Sequence, residues 1–282
     1  MANASRISFP VQRFPFPDKK MKNTPQIIYS KKQAGEPIVS LSLYDYPTAR
    51  LADEAGVDLV MVGDSVGMAL FGHENTLGMT MEHMLYHTAA VAKAVKHALV
   101  VADMPVHSYH DPDLALLNAQ RFLREAGADA VKLEGGAKVQ LQVQKLVTEG
   151  ISVMGHIGML PQSVGEGKYR VYGKDPEEAE MILEDAKLLD RMGVFSIVLE
   201  CVPAKLAAEI TKAVQCPTIG IGAGVATDGQ VLVFQDILGI RSGVSPRFVR
   251  RYAKIEETIK KAAVDFCRDV RAKNFPSKKE SF

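Results

Sequence analysis

Short apolar runs rich in valine and isoleucine alternate with helical stretches from residue 38 onward. The runs have strand length, and in the segments between them apolar residues recur every three or four positions. The runs predict seven strands, at 38–45, 59–65, 99–105, 130–136, 151–158, 195–201 and 217–224. An eighth strand is expected in the weaker stretch from Ile240 to Val244, before a long terminal helix that begins at Ser245 and Pro246.

The segments between the strands carry helix start and stop signals. Several begin at Asp-Pro, Thr or Pro and end at Gly, which is the usual chemistry of helix ends. The clearest helices are predicted at 79–97, 111–127, 175–193 and 203–215. A chain that alternates strands and helices in this way builds a parallel sheet covered by helices.

Two architectures fit this alternation, a doubly wound open sheet and a closed (β/α)8 barrel. The strand count near eight and the length of 282 residues favour the barrel. No GxGxxG turn follows the first strand, as a dinucleotide-binding open sheet would need. We therefore expect residues 23–282 to form one α/β domain, a (β/α)8 TIM barrel, preceded by a flexible extension at residues 1–22.

Charge and composition narrow the range of partners. The 34 Lys and Arg residues nearly balance the 33 Asp and Glu residues, which gives a formal net charge of +1. Nucleic acids and anionic membranes attract basic surfaces, so neither is expected and small molecules are the predicted partners. No apolar stretch approaches the roughly 20 residues that span a bilayer. Three scattered cysteines indicate a reducing compartment, and we expect a cytoplasmic location.

Acidic residues stand at the ends of four predicted strands. Asp64, Asp103, Glu134 and Glu200 each come at the C-terminal end of an apolar run. The parallel strands of a barrel deliver these ends to one rim, which is where TIM-barrel active sites lie. We therefore expect the four carboxylates to converge at the mouth of the barrel.

Two basic residues accompany the acids. Lys132 comes two positions before Glu134 and faces the same side of its strand, and His156 ends the fifth strand. Clustered carboxylates repel one another, so a cation or a proton must offset them. Mg2+ typically takes one or two protein carboxylates and completes its shell with water and substrate. We interpret Asp64 and Asp103 as its ligands, with Glu134 bound directly or through water.

Each of these residues also has an ordinary structural explanation. A strand-end acid taken alone is more often the N-cap of the next helix, and Ser65 could be a cap as well. Glu200, Lys132 and His156 could form salt bridges or core hydrogen bonds. The recurrence of four acids at the same position of the strand unit favours a functional site.

Other polar features point less clearly to chemistry. The GIGAG stretch, Gly220–Gly224, before a helix expected at Thr227, is either a phosphate-binding turn or a tight turn that only glycine fits. Cys201 follows Glu200 and points to the opposite face, so we interpret it as a packing residue. The remaining histidines show no HExxH or other metal-binding spacing and are predicted to be structural; they are His73, His83, His87, His97, His107 and His110.

Several motifs together resemble those of one enzyme family. The stretches VMVGDSVGM, VVADMP, AVKLEGG, GHIGMLPQSV, VLECVP and IGIGAG occur in this order. Over roughly residues 25–265 the chain resembles the ketopantoate hydroxymethyltransferase family. The resemblance implies a phosphoenolpyruvate/pyruvate-type barrel that binds Mg2+ and forms a homo-oligomer, commonly a decamer. It also implies hydroxymethyl transfer from 5,10-methylenetetrahydrofolate to 3-methyl-2-oxobutanoate, which gives 2-dehydropantoate for pantothenate biosynthesis.

The same resemblance implies a role for each candidate residue. Asp64 and Asp103 would bind the metal, with Glu134 associated with it. Glu200 would accept the substrate proton in an enolate mechanism, and His156 would be a further catalytic residue. The 2-oxo acid would lie against Asp64, Ser65, Asp103, Lys132 and Tyr44, of which Lys132 also acts in catalysis and Tyr44 forms a pocket wall.

Two other functions stay open from the residues alone. A Mg2+-dependent 2-oxo acid carbon-carbon lyase of the isocitrate lyase type would share the barrel and the metal. Such lyases use a reactive cysteine in a flexible loop, and no cysteine here lies in a Gly-rich loop at the mouth. A binding barrel that has lost its chemistry is the second alternative. The intact set of four acids and Lys132 argues against it, because a decayed site should have lost at least one of them.

Overall fold

The computed structural model describes residues 21–164, 170–240 and 246–282. Within these ranges eight parallel strands pair in chain order, and the last pairs with the first, which closes the barrel. The predicted (β/α)8 TIM barrel is confirmed. The strands are β1 (Ile38–Ser42), β2 (Leu59–Val62), β3 (Leu99–Asp103), β4 (Ala130–Glu134), β5 (Val153–Gly158), β6 (Ser196–Glu200), β7 (Thr218–Ile221) and β8 (Gly229–Val233).

Helices alternate with these strands along the chain. The four helices that the sequence predicts most clearly are present, and each is a few residues shorter at its ends than predicted. The helices are α1 (Pro25–Ala34), α2 (Tyr46–Glu54), α3 (Val66–Ala69), α4 (Met81–Ala94), α5 (Pro112–Arg124), α6 (Gln140–Thr148), α7 (Pro161–Val164), α8 (Pro176–Arg191), α9 (Ala204–Ala213), α10 (Phe234–Leu238) and α11 (Ile255–Arg271), and a 3-10 turn covers Ala137–Val139.

Short polar side chains start several helices, as the sequence indicates. Asp111 caps α5 by accepting a hydrogen bond from the Leu114 N–H at 2.8 Å, and Asp175 caps α8 through the Glu177 N–H at 3.0 Å. A proline follows each cap, where its missing N–H costs nothing. These helix boundaries therefore follow from local chemistry.

Two apolar layers stabilise the barrel. An inner cluster that includes Leu59, Val101 and Met154 fills the space within the strands. A larger outer cluster, with Val100 and Phe122 among its members, packs between strands and helices. Strands β2, β3 and β4 are buried on both faces, which explains why their sequences are continuous apolar runs instead of alternating patterns.

A group of acids lies at the end of the barrel where the strands begin. Asp53 accepts three backbone N–H hydrogen bonds, from Lys96, His97 and Ala98, at 2.8 to 3.0 Å, just before β3. Asp58, Asp129, Asp190 and Asp228 bind backbone N–H groups beside other strand starts in the same way. Acids at this face satisfy buried donors and are structural, in contrast to those at the opposite rim.

The prediction of the eighth strand at Ile240–Val244 is wrong. The strand lies earlier, at Gly229–Val233, and Ile240 comes after α10; residues 241–245 lie outside the described part of the chain. The sequence signal of β8 is weak because its apolar run, residues 231–234, is short, and the strand starts with Gly229 and the exposed Gln230.

The helix expected at Thr227 is also absent. Thr227 lies in the loop between β7 and β8, where its hydroxyl donates to the Gly229 carbonyl at 2.8 Å. The Gly220–Gly224 turn therefore leads into a strand and not to a helix N-terminus, which removes the basis of the phosphate-binding interpretation. Gly224 has φ 83°, and a Cβ there would come within 2.5 Å of the Ala204 Cβ. The geometry supports the alternative of a turn that requires glycine.

The terminal helix begins at Ile255 and not at Ser245 and Pro246. The described residues before it form a turn, in which the Val249 N–H donates to the Pro246 carbonyl at 3.0 Å. A proline favours a turn or a helix start equally, so the sequence alone placed the start too early. No residue of α11 is buried.

The N-terminal extension is described only at its end. Residues 1–20 of the predicted extension at 1–22 lie outside the described residues, and Lys22 forms an ion pair with Asp129 at 2.7 Å. No helix in the described part of the chain is long and apolar enough to cross a membrane.

The structural role of Asp53 gives a stability prediction. Asp53→Ala removes the acceptor of three backbone N–H groups, each of which costs roughly 1–3 kcal/mol when buried without a partner. We expect the free energy of unfolding to fall by about 3 kcal/mol in urea titrations. Glu54→Ala, at the next position and exposed, is the matched control and should change it by less than about 0.5 kcal/mol. Equal stability of Asp53→Ala and the control would contradict this role.

Candidate active site

Four acids meet at the C-terminal rim of the barrel, as the sequence predicts. Asp103, Glu134 and Glu200 are the last residues of β3, β4 and β6, and Asp64 lies two residues beyond the end of β2. Asp64, Asp103 and Glu134 are buried. The backbone N–H of Asp64 donates to Asp103 Oδ2 at 3.2 Å, so the first two acids are in direct contact.

The strand register places Lys132 among these acids. Lys132 on β4 is the pairing partner of Asp103 on β3, and its Nζ lies 2.5 Å from Asp103 Oδ1. The same Nζ is 3.8 Å from Glu134 Oε1, two residues further along β4. The predicted alternation that turns Lys132 toward Glu134 is thus observed. A single buried ammonium group faces at least two carboxylates.

His156 connects Glu134 to the fourth acid. It pairs with Glu134 in the register of β4 and β5. Its Nδ1 lies 3.5 Å from Glu134 Oε1, and its Nε2 lies 3.1 Å from Glu200 Oε2; both are ion-pair contacts without hydrogen-bond alignment. Burial and the charge of Lys132 lower the pKa of His156, but the two carboxylates outweigh them and raise it to about 9. The imidazole is therefore a cation at neutral pH.

The carboxylates carry more negative charge than these cations compensate. Burial, with repulsion from Asp103 and Glu134, holds the pKa of Asp64 well above its usual range. Burial also raises the pKa of Asp103, against the effect of Lys132. Burial would raise the pKa of Glu134 as well, but His156 and Lys132 lower it. A further cation beside Asp64 and Asp103 would consequently stabilise their ionised forms.

The pKa of Lys132 depends on the same buried carboxylates. Burial alone would lower the pKa of Lys132, because an ammonium group loses its hydration. The neighbouring carboxylates of Asp103 and Glu134 outweigh this effect and raise the pKa. Lys132 therefore stays charged and is not a proton acceptor at neutral pH.

Ser65 and Tyr44 form a hydrogen-bonded pair beside Asp64. The Tyr44 hydroxyl lies 2.7 Å from Ser65 Oγ and accepts a longer hydrogen bond from Ser42 Oγ at 3.3 Å. A Cβ on Gly63 would lie within 3 Å of both serine hydroxyls, so the glycine in VGDS makes this arrangement possible. Tyr44 is fully buried. Its hydroxyl contacts Ser65 Oγ, so an effect of Tyr44 on a ligand would be exerted through Ser65.

The helix-cap alternative fails for the rim residues. The N-caps of α2, α5 and α8 are Asp45, Asp111 and Asp175, and neither Asp64 nor Asp103 caps a helix. Ser65 stands at the N-cap of α3 without a side-chain capping hydrogen bond. These side chains are thus available for other contacts.

The other histidines and the cysteines make contacts that suit structural roles. His83 completes a capping box with Thr80, and His87 Nδ1 lies 2.7 Å from the Tyr44 carbonyl. All three cysteines are free. Burial and the nearby Glu200 charge raise the pKa of Cys201 to about 12, so it is a thiol and a poor nucleophile at neutral pH.

Two site residues lie outside the candidates drawn from the sequence. Gln162 on α7 donates from its side-chain amide to Asp64 Oδ2 at 2.9 Å, and from its backbone N–H to Glu134 Oε2 at 3.0 Å. The Tyr109 hydroxyl donates to Gln162 Oε1 at 2.6 Å. The sequence signal for Gln162 is a polar residue just past the end of β5, within GHIGMLPQSV. An amide in a loop does not by itself indicate a functional site, so the sequence alone does not single out Gln162.

A metal site built wholly from protein groups is not present in the described ranges. No group of three or more His, Cys, Asp or Glu side chains there has the geometry to hold a metal ion. Asp64 and Asp103 are in contact, and Glu134 Oε1 is buried without a hydrogen bond. The chain therefore offers a small set of carboxylate oxygens, of the kind that Mg2+ uses together with water and substrate.

The fold defines the class of protein as a (β/α)8 TIM barrel, and solved barrels with little sequence identity match it. Phosphonopyruvate hydrolase gives a TM-score of 0.60 at 13% identity, covering 92% of this chain and 93% of that one. 2,3-Dimethylmalate lyase gives 0.54 at 15% identity, covering 74% and 78%. At these identities the likeness concerns the fold alone.

Sequence similarity defines the family. The family model described as ketopantoate hydroxymethyltransferase matches residues 22–278, and the chain belongs to this family. A 3-methyl-2-oxobutanoate hydroxymethyltransferase from Clostridium novyi is 50% identical over 93% of this chain and 96% of its own length. One from Carboxydothermus hydrogenoformans is 52% identical over 89% and 92%. The predictions of the family and of an enzyme, a hydroxymethyltransferase, are confirmed.

Proposed function

We propose that this enzyme transfers a hydroxymethyl group from 5,10-methylenetetrahydrofolate to 3-methyl-2-oxobutanoate, giving 2-dehydropantoate for pantothenate biosynthesis. The observation that carries the proposal is the buried cluster of Asp64, Asp103 and Glu134 around Lys132. Relatives at about 50% identity bear the name of this transferase. The cluster is suited to a small anionic substrate with a metal ion, because its carboxylates need a cation and its lysine needs an anion.

The residues at the rim fit Mg2+. Asp64 and Asp103 would hold the ion, because both are buried, the Asp64 backbone N–H contacts the Asp103 carboxylate, and burial raises the pKa of both side chains. Glu134 would contribute through Oε1, directly or by way of a water molecule. When bound, Mg2+ would supply Lewis acidity that makes the carbon beside the keto group of the substrate more acidic.

Glu200 is the residue best placed to accept the substrate proton. Its side chain is 13% exposed, whereas those of Asp103, Lys132 and Glu134 are 3% exposed or less. A carboxylate with partial access to the mouth can reach a bound substrate. His156 Nε2 lies 3.1 Å from Glu200 Oε2 and can hold this carboxylate in position.

The remaining residues would bind and orient the 2-oxo acid. Lys132 stays charged and can offset negative charge on the substrate carboxylate and on the enolate that follows proton removal. Ser65 can offer its hydroxyl to the substrate while Tyr44 holds it in place. The enolate carbon would then form a C–C bond to the one-carbon unit. Both C–N bonds of that unit to the folate would break, water would supply the hydroxyl oxygen, and tetrahydrofolate would leave.

We propose further that copies of the chain associate into a homo-oligomer, with a decamer as the form that the family resemblance suggests. Helix α11 supports this: Ile259, Phe266 and Val270 share one face at helical spacing and are exposed. Free thiols suit a cytoplasmic location.

Light scattering should give a mass of two or more chains of 30.7 kDa each, and Phe266→Asp should lower this mass. A wild-type mass of 30.7 kDa would contradict the association.

The proton-transfer role of Glu200 is testable without the folate. Glu200→Gln keeps the shape of the side chain but removes the base, so exchange of the C3 hydrogen of 3-methyl-2-oxobutanoate in D2O should fall by about 100-fold or more. NMR measures this exchange, and calorimetry should show nearly unchanged binding of the oxo acid. Glu209→Gln, an exposed residue on α9, is the matched control. Exchange at the wild-type rate would remove Glu200 from this role.

The reaction itself separates the transferase from the lyase. The protein is incubated with Mg2+ and 3-methyl-2-oxobutanoate, with and without 5,10-methylenetetrahydrofolate, and 2-dehydropantoate is quantified by mass spectrometry. Product that depends on the folate supports the transferase. A lyase would instead cleave a carbon-carbon bond of a 2-oxo acid substrate without the folate.

The metal assignment predicts a specific loss on ligand removal. EDTA should abolish transferase activity, and added Mg2+ should restore it. Asp64→Ala and Asp103→Ala should each raise the Mg2+ concentration for half-maximal activity by about 10-fold or more, because each removes an oxygen ligand. Asp113→Ala, a highly exposed acid on α5, is the control and should not. Full activity in EDTA would refute the metal site.

A further inference from the structure

Gln162 occupies a junction between two of the rim acids and a loop. It lies on α7, directly after β5, and it is buried. Its side-chain Nε2 donates to Asp64 Oδ2 at 2.9 Å and to the Met104 carbonyl at 3.0 Å. Its backbone N–H donates to Glu134 Oε2 at 3.0 Å. One residue thus binds carboxylates that come from β2 and β4.

The chemistry of its neighbours fixes the orientation of the Gln162 amide. The Met104 carbonyl can only accept a hydrogen bond, so the NH2 group of the amide must face it. The carbonyl end, Oε1, then faces Tyr109, whose hydroxyl must donate. Burial raises the pKa of the Tyr109 hydroxyl, which keeps its proton. The amide consequently presents its donor, and not its acceptor, to Asp64.

Buried amides in turn hold Tyr109 in position. Gln142 on α6 donates to the carbonyls of Tyr109 and His110 at 3.2 Å each. Asn118 on α5 donates to the Ser108 carbonyl at 2.8 Å. The loop after β3 is therefore fixed from two helices, and Tyr109 gives Gln162 a rigid partner.

We propose that Gln162, oriented by Tyr109, is a positioning residue that prepares Asp64 and Glu134 to bind the metal ion. It engages Oδ2 of Asp64 and Oε2 of Glu134. Among the described residues, Glu134 Oε1 accepts no hydrogen bond, although Lys132 Nζ and His156 Nδ1 lie 3.8 Å and 3.5 Å from it. Gln162 thus occupies one oxygen of each carboxylate and leaves the other to face a cation. A fixed carboxylate loses less conformational entropy on binding than a free one, and partners that orient metal ligands commonly contribute 10-fold to 100-fold in affinity. The inference rests on the proposed metal-dependent function.

The test measures metal binding without substrate. Mn2+ stands in for Mg2+, and EPR of free Mn2+ gives the dissociation constant for wild type, Gln162→Met, Tyr109→Phe and the double variant. Gln162→Met should weaken binding by about 10-fold or more, because the side chain keeps its size and loses its donor. Tyr109→Phe should weaken it less. The double variant should be no weaker than Gln162→Met alone, since Tyr109 acts only through Gln162.

A matched control separates positioning from general damage. Gln235→Met makes the same change at a buried glutamine on α10 whose Oε1 has no hydrogen bond, and should leave Mn2+ affinity within two-fold of wild type. Saturating Mg2+ should restore much of the exchange activity of Gln162→Met, which a misfolded site would not allow. If Gln162→Met fails to fold, Tyr109→Phe still tests the proposal.

The outcomes distinguish this inference from the proposed function. If wild type binds Mn2+ and Gln162→Met binds it equally well, the positioning role is overturned while the metal site stands. Additive effects of Gln162→Met and Tyr109→Phe would also overturn it, because they would show that Tyr109 acts independently of Gln162. If wild type binds no Mn2+, the proposed metal-dependent function itself fails.

Discussion

Three buried carboxylates packed around one lysine are the constraint on which the site depends. Removing a charge from water is costly, and the cost is recovered only where opposite charges and hydrogen bonds replace the lost hydration. Lys132 satisfies Asp103, and His156 satisfies Glu134, whereas among the described residues Asp64 receives an amide hydrogen bond and no ion pair. The barrel therefore maintains a charge imbalance at its mouth, which a divalent ion would correct.

The two ends of the barrel use the same residue type in different ways. At the strand starts, carboxylates such as Asp53 accept backbone N–H groups that would otherwise be buried without partners. At the strand ends, Asp103 and Glu134 also accept one backbone N–H each, from Asp64 and Gln162, but their other oxygens face Lys132 and His156. The acids at the strand ends therefore contact buried cationic side chains, at the rim where TIM-barrel active sites lie.

Strand register brings residues that are distant in sequence side by side as chemical partners. Asp103 pairs with Lys132, and Glu134 pairs with His156, because consecutive parallel strands bring these positions side by side.

The likeness to solved barrels of low sequence identity concerns the fold, whereas the family relationship rests on relatives with about 50% identity. Because many functions share this scaffold, the fold by itself does not define the chemistry.

The sequence by itself determined the barrel, seven of its strands and the rim acids, because buried parallel strands read as apolar runs and an acid at their end is conspicuous. It misplaced the eighth strand, since β8 begins with Gly229 and Gln230 and its apolar run is short. Only the tertiary structure decided that Gln162 bridges Asp64 and Glu134, residues 98 and 28 positions away in the chain. Contacts of this kind depend on how loops fold over the rim, and no local pattern of hydrophobicity encodes them.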